Sequence, residues 1–240
     1  VIRNANSERL VLRAELSRDD RQIIAHTTAL AADCVFVRTD EPLDIGDSVA
    51  LELSFRRLLS PVHLDAQVVA KDLGAGLGYW PGVTLAFTAS TEQEVLLQHL
   101  LVTRTAPKLA PYRILVVEDS VLTRDVVQLN ADRCSNVGAV QLVVESTDSA
   151  EAALAMMAEH PFDLALVDLY LPGELDGADL VRRVRERDHD IALIGFSIGR
   201  SAARHQFLAA GADLFLDKPV TVKDLFATIE RLMLMNVEVP

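Results

Sequence analysis

The chain has 240 residues, half of them hydrophobic and few of them aromatic, which is enough for two small domains that each bury a core. No apolar run approaches the ~18 residues of a membrane span, and no basic stretch leads into an apolar one as in an export signal, so a cytoplasmic protein without a membrane span is expected. A formal net charge of -12 argues against a nucleic-acid partner, because phosphate backbones are held by basic surfaces.

Short β-like runs come first, at 10–16, 22–28, 34–38, 48–55, 64–70 and 83–87, with turn signals such as Asp19-Asp20 and the glycines of 74–78 between them. Six strands at that spacing predict a small antiparallel β-barrel or sandwich. Over 91–102 the period changes to that of a helix. Val95, Leu96, Leu100 and Leu101 share one face, and Thr91 with Glu94 reads as a capping box. Pro107 and Pro111 then interrupt the pattern, so 104–112 reads as an extended linker between a first domain, 1–103, and a second, 113–240.

Beyond the linker, strand and helix alternate. Strands are predicted at 113–117, 141–145, 164–167, 191–196 and 213–216, and helices at 121–131, 149–160, 177–187, 202–210 and 222–235. The strands are continuous apolar runs, as expected where helices cover both faces of a sheet. In the third helix Leu180, Val181 and Val184 oppose Arg182, Arg183 and Glu186. Five βα units predict an α/β domain with a doubly wound parallel sheet, whose ligands sit beyond the carboxyl ends of the strands.

Those ends carry a short list of polar residues. The first strand runs into Glu118-Asp119, the third into Asp168, the fourth into Ser197 and the fifth into Lys218-Pro219. Residues 111–240 hold 12 basic and 21 acidic side chains, against 11 and 14 before them, so the half with this cluster is the one that needs a cation. Converging carboxylates raise one another's pKa unless a cation joins them. Mg2+, a hard ion with oxygen ligands, meets that need and would polarise an incoming phosphoryl group. A carboxylate could then act as nucleophile and form an acyl phosphate.

Arg-Ile-Leu-Val-Val-Glu118-Asp119-Ser, Leu-Val-Asp168-Leu-Tyr-Leu-Pro172-Gly, Gly-Phe-Ser197 and Leu-Asp-Lys218-Pro219 resemble, in order, the signature blocks of response-regulator receivers. The resemblance implies a flavodoxin-like (βα)5 fold in which Asp168 is phosphorylated by a histidine kinase. It implies that Asp119, Asp168 and the Tyr170 carbonyl bind Mg2+ directly and that Glu118 acts through water. Ser197 would move to the phosphoryl group, Lys218 would pair with it, Phe215 would be the aromatic switch, and Pro219 would follow a cis peptide. Two departures stand out. The loop from Asp168 to Asp176-Gly177 is one residue longer than usual, and bulky Ile198 stands where the family has a small residue. Ile198 is expected to restrict access and prolong the phosphoryl state.

The first half, with Glu41-Pro42-Leu43-Asp44-Ile45-Gly46-Asp47 and Gly82-Val-Thr-Leu-Ala-Phe87, is similar to PilZ domains, six-stranded barrels that often bind cyclic di-GMP. Arg9 and Arg13 keep the spacing of that family's arginine arm but fall inside the first predicted strand. There they read as side chains on its solvated face. The turn at 29–34 lacks the family's Asp/Asn, Ser and Gly, which speaks against cyclic di-GMP as ligand. Trp80 is either an exposed contact or a plug at the barrel end. Cys34 and Cys134 read as small buried thiols, and the six histidines lack metal-ligand spacing.

The resemblances imply a bacterial two-component response regulator rather than an enzyme, signalling through protein–protein contact as a homodimer or with another partner. The alternatives are a cyclic di-GMP receptor gated by the receiver, and a scaffold that works without phosphorylation.

Overall fold

Burial alternates along the first strands, as it does when one face of a sheet closes on a core. In β1 (Arg13–Arg18) Ala14 and Leu16 are buried, and in β4 (Ser48–Phe55) so are Val49, Leu51, Leu53 and Phe55. With β2 (Arg21–Leu30), β3 (Cys34–Arg38), β5 (Leu59–Leu73) and β6 (Pro81–Phe87) they form a closed barrel in the order β1-β2-β3-β6-β5-β4. All six pairings are antiparallel. The structure is a computed structural model that describes residues 8–18, 20–73, 81–101, 110–137, 140–187, 190–198, 201–218 and 222–235. Trp80, Pro219, the glycines of 74–78 and most of the expected linker lie outside the described residues.

Three details differ from the sequence expectation. Strand β1 begins at Arg13, so Arg9 precedes it in irregular backbone. Strand β5 begins at Leu59, earlier than expected, because a tight hairpin joins it to β4. Leu58 N donates to the Phe55 carbonyl at 3.0 Å, and Arg57 takes a positive φ of 65°. Helix α1 (Thr91–Leu101) is capped one residue earlier, by Ser90 and Gln93. Gln93 N donates to Ser90 Oγ at 3.4 Å, and Ser90 N to Gln93 Oε1 at 2.6 Å. Its inward face is accordingly Leu97 and Leu100, and Val95 is exposed. Cys34 and Cys134 form no disulfide among the described residues and are half-buried rather than buried.

The second half is a five-stranded parallel sheet of β7 (Tyr112–Val117), β8 (Leu142–Thr147), β9 (Leu164–Val167), β10 (Ala192–Ser197) and β11 (Leu214–Asp217), ordered β11-β10-β9-β7-β8. Helices α2 (Val121–Val137), α3 (Ala150–Glu159), α4 (Gly177–Arg187), α5 (Ser201–Ala209) and α6 (Val222–Met235) alternate with the strands. One core joins Leu115, Val117, Val167 and Leu193 of the sheet to Ala153, Leu180, Val181, Val184 and Phe207 of the helices. This is the expected flavodoxin-like α/β arrangement. The strand order reverses between β7 and β9, and their carboxyl ends open the crevice where such sheets bind ligands.

By contacts the chain divides into two compact units, 1–105 with 227–240, and 106–226. In the first unit Thr228 is fully buried, and its Oγ1 accepts from Val11 N at 2.9 Å.

Candidate phosphoacceptor site

The end of β7 and the end of β9 lie side by side in parallel register, Val117 opposite Val167. The next residues therefore meet at the switch point. Carboxylate oxygens of Glu118, Asp119 and Asp168 lie within 4.8 Å of one another. Glu118 and Asp168 are buried, while Asp119 is exposed. From the end of β11, Lys218 Nζ donates to both Glu118 Oε2 and Asp168 Oδ2 and sits 4.9 Å from the centre of the Phe196 ring. One ammonium thus bridges two buried carboxylates, offsetting a repulsion that the low dielectric would magnify. Burial pushes the Glu118 carboxyl above its ordinary range, and the Lys218 ammonium only partly counters it.

At the end of β10, Ser197 is fully buried and its hydroxyl has no hydrogen-bond partner among the described residues. A buried hydroxyl left unsatisfied is costly unless another group comes to meet it. Its carbonyl accepts from Lys218 N at 3.0 Å, which fixes the two strand ends together. Phe215 is buried in β11, its ring 5.7 Å from that of Phe207. Tyr170 is 65% exposed, and its backbone N donates to Asp168 Oδ1 at 3.3 Å. Ile198 is 73% exposed just past Ser197.

The lengthened loop after Asp168 is anchored at both ends. Glu151 Oε1 accepts from Glu174 N at 3.2 Å and Leu175 N at 3.3 Å, while Gly173 turns with a φ of 119°. Asp176 caps α4, accepting from Asp179 N at 2.8 Å. Gly177 opens that helix so close to Asp168 that a Cβ on it would lie 1.9 Å from the Asp168 carbonyl oxygen.

The matched sequence agrees with this geometry. Residues 114–230 fit the model of the response regulator receiver domain. These residues are a response regulator receiver domain. The transcriptional regulatory protein PhoP of Escherichia coli K12 is 32% identical over 125 residues, which are 52% of this chain and 53% of that protein. The two-component response regulator PhoP of Pseudomonas aeruginosa is 33% identical over 122 residues, 50% of this chain and 51% of the other. The matches thus span about half the length of these curated relatives. A CheY-like receiver domain protein from Methanospirillum hungatei is similar at 28% identity, covering 52% of this chain and 95% of that one with a TM-score of 0.45.

Of the described receiver residues singled out from the sequence, Glu118, Asp119, Asp168, Tyr170, Ser197, Ile198 and Lys218 lie at or beside the carboxyl end of the sheet and Phe215 lies within β11; the three carboxylates and Lys218 form one cluster. Arg9 and Arg13 belong to the barrel. Arg9 is exposed ahead of β1, and Arg13 Nη2 donates to Glu15 Oε2 at 2.7 Å from the strand's first position. Two residues escaped the sequence reading: Glu151, which holds the loop after Asp168, and Arg124, whose guanidinium reaches back from α2 to the main chain of the acidic pair. Gly177 was named from the sequence only as the end of that loop, and its close approach to Asp168 is visible in the backbone alone.

Proposed function

We propose that Asp168 accepts a phosphoryl group from a histidine kinase and that the chain works as a two-component response regulator, signalling by protein contact rather than by catalysis. The observation that carries this reading is the bridge from Lys218 to Asp168 and Glu118, next to a strand end where the buried Ser197 hydroxyl has no partner among the described residues. In transfer, an Asp168 carboxylate oxygen attacks phosphorus and the bond to the donor histidine's nitrogen breaks. The electron pair leaves with the imidazole, and Asp168 becomes an acyl phosphate.

The donor set suits a divalent ion, since Glu118, Asp119 and Asp168 offer hard oxygens close together. Mg2+, when bound, would neutralise these carboxylates and the oxygens of the incoming group. Asp119, Asp168 and the Tyr170 carbonyl would hold it, with Glu118 behind them. Lys218 is already placed to keep one carboxylate oxygen of Asp168 paired during the change, and Ser197 has a hydroxyl proton to give.

The state so formed biases Ser197 and Phe215, and through them the face made by α5, β11 and α6. Output through that face is a homodimer or a complex with another protein. The division into a PilZ-like barrel at 1–103, a linker at 104–112 and a receiver at 113–240, in the cytoplasm, belongs to the same proposal. A second reading, a cyclic di-GMP receptor, gains one point from the structure, since Arg9 lies ahead of β1 as an arginine arm requires. Titration with the dinucleotide decides it: a Kd weaker than ~100 μM dismisses it.

The main test is incubation with a small-molecule phosphodonor and Mg2+, followed by intact mass and size-exclusion chromatography. A phosphoryl adduct on the wild type and none on Asp168→Asn is expected, with a change in elution. No adduct on either protein would favour the scaffold reading.

A further inference from the structure

Arg124 stands where helix electrostatics disfavour a cation. It lies in the first turn of α2, next to the positive end of the helix dipole, a position that favours acidic residues, and no acidic residue occupies that turn. A residue that breaks a local rule is retained where something nearby compensates. Here Ser120 caps the helix, accepting from Thr123 N at 3.3 Å through its Oγ and from Arg124 N at 3.1 Å through its carbonyl. The guanidinium folds back over this cap. Its Nη1 donates to the carbonyl oxygen of Glu118 and, at 3.0 Å, to that of Asp119.

The two carbonyls held by Arg124 belong to the acidic pair at the phosphoacceptor site. Glu118 is fixed from several directions. Its N donates to the Thr147 carbonyl at 3.0 Å, and its carboxylate accepts from Ser120 N at 3.2 Å and from Lys218. Asp119 has no such support. Among the described residues the only hydrogen bond that reaches it is the one from Arg124 to its carbonyl, although its carboxylate must stay within 4.8 Å of the other two. Holding the carbonyls toward α2 fixes the peptide planes on either side of Asp119, and with them the direction of its side chain.

We infer that Arg124 is the positioning residue of the acidic pair: it acts through the main chain of Glu118 and Asp119 to keep Asp119 aimed at the divalent cation. This rests on the proposed cation-dependent chemistry of Asp168 and adds a component to it. The inference makes a prediction of sign. If Arg124 contributed only charge, removing it would make the site more negative and tighten Mg2+ binding. As a positioning residue, its loss weakens binding instead.

The experiment is calorimetric titration of the full chain with MgCl2, comparing wild type, Arg124→Met and Arg124→Lys, with thermal unfolding in EDTA alongside. Met keeps length and helix propensity without donors, while Lys restores a donor. The expected result is Mg2+ binding weakened about tenfold or more in Arg124→Met, the usual size for residues that orient a metal ligand. Partial recovery in Arg124→Lys and unfolding in EDTA close to wild type should accompany it. Equal or tighter binding in Arg124→Met overturns the inference while leaving Asp168 chemistry intact. A wild type that binds no Mg2+ overturns both, and it is told apart by the first titration.

Discussion

Gly195 of β10 and Phe207 of α5 share the space of one side chain. A Cβ on Gly195 would lie 2.7 Å from Phe207 Cγ and 2.8 Å from Phe215 Cδ2, so both rings pack against bare backbone. The aromatic expected to move inward on phosphorylation is therefore already buried, in a notch two residues before Ser197. Gly195→Ala must push the rings apart, and overpacking of this kind costs about 1–3 kcal/mol. Denaturant unfolding checks the value. Combining it with Phe207→Leu should recover part of the loss, and strictly additive effects would contradict the shared space.

Lys218 is the counter-charge of two buried carboxylates, so Lys218→Met leaves them facing each other. The sign with pH follows from Glu118. Its folded pKa lies above the ordinary value, so the folded state binds that proton more tightly. The stability this confers is present at low pH and declines as pH rises through the folded pKa. Removing the ammonium raises that pKa further. The deficit of Lys218→Met against wild type should be small at pH 5 and grow to about 2 kcal/mol or more at pH 8, measured by urea unfolding in EDTA. A deficit that shrinks with pH would contradict it.

Ile198 stands exposed beside the strand end that carries Ser197. Our expectation is that it slows water and donor reaching Asp168. Ile198→Ala should shorten the phosphoryl lifetime several-fold, read by intact mass against time after removal of the phosphodonor. An unchanged decay rate would show that the side chain does not guard the site.

Cys34, at the first position of β3, is poorly nucleophilic. Burial, and after it the neighbouring Asp33, push its thiol from 9.0 to about 11. Its thiolate fraction at pH 8 is therefore roughly a hundredth of that of an unperturbed cysteine. Alkylation followed by peptide mass should be slow at that site, rise about tenfold per pH unit up to pH ~10, and quicken in Asp33→Asn.

The receiver half was legible because its signals are redundant. Continuous apolar strands ended in Glu118, Asp168, Ser197 and Lys218, and the chain order of those ends alone placed them at one edge. The barrel was legible in strand number but not in extent. The hairpin into β5 turns at Arg57 with positive φ, where no glycine or asparagine announces it, and β5 passes through Pro61, which reads as a break. At α1 two capping boxes overlap, Ser90 with Gln93 and Thr91 with Glu94, and only the backbone chooses between them. Arg124 was invisible for a different reason. Its partners are main-chain carbonyls, which every residue has, so no pattern of side chains points to them.

The closure of the barrel limits how anything can attach to it. Each of its six strands already has a neighbour on both sides, so among the described residues only short overhangs of β2 and β5 are left for a partner to extend by adding a strand. Recognition there falls to outward side chains and the connecting loops, where single substitutions are informative. A scan of outward charges such as Glu15, Glu52 and Asp65 would register a partner that backbone-mimicking β-peptides, however well matched in sequence, would fail to displace.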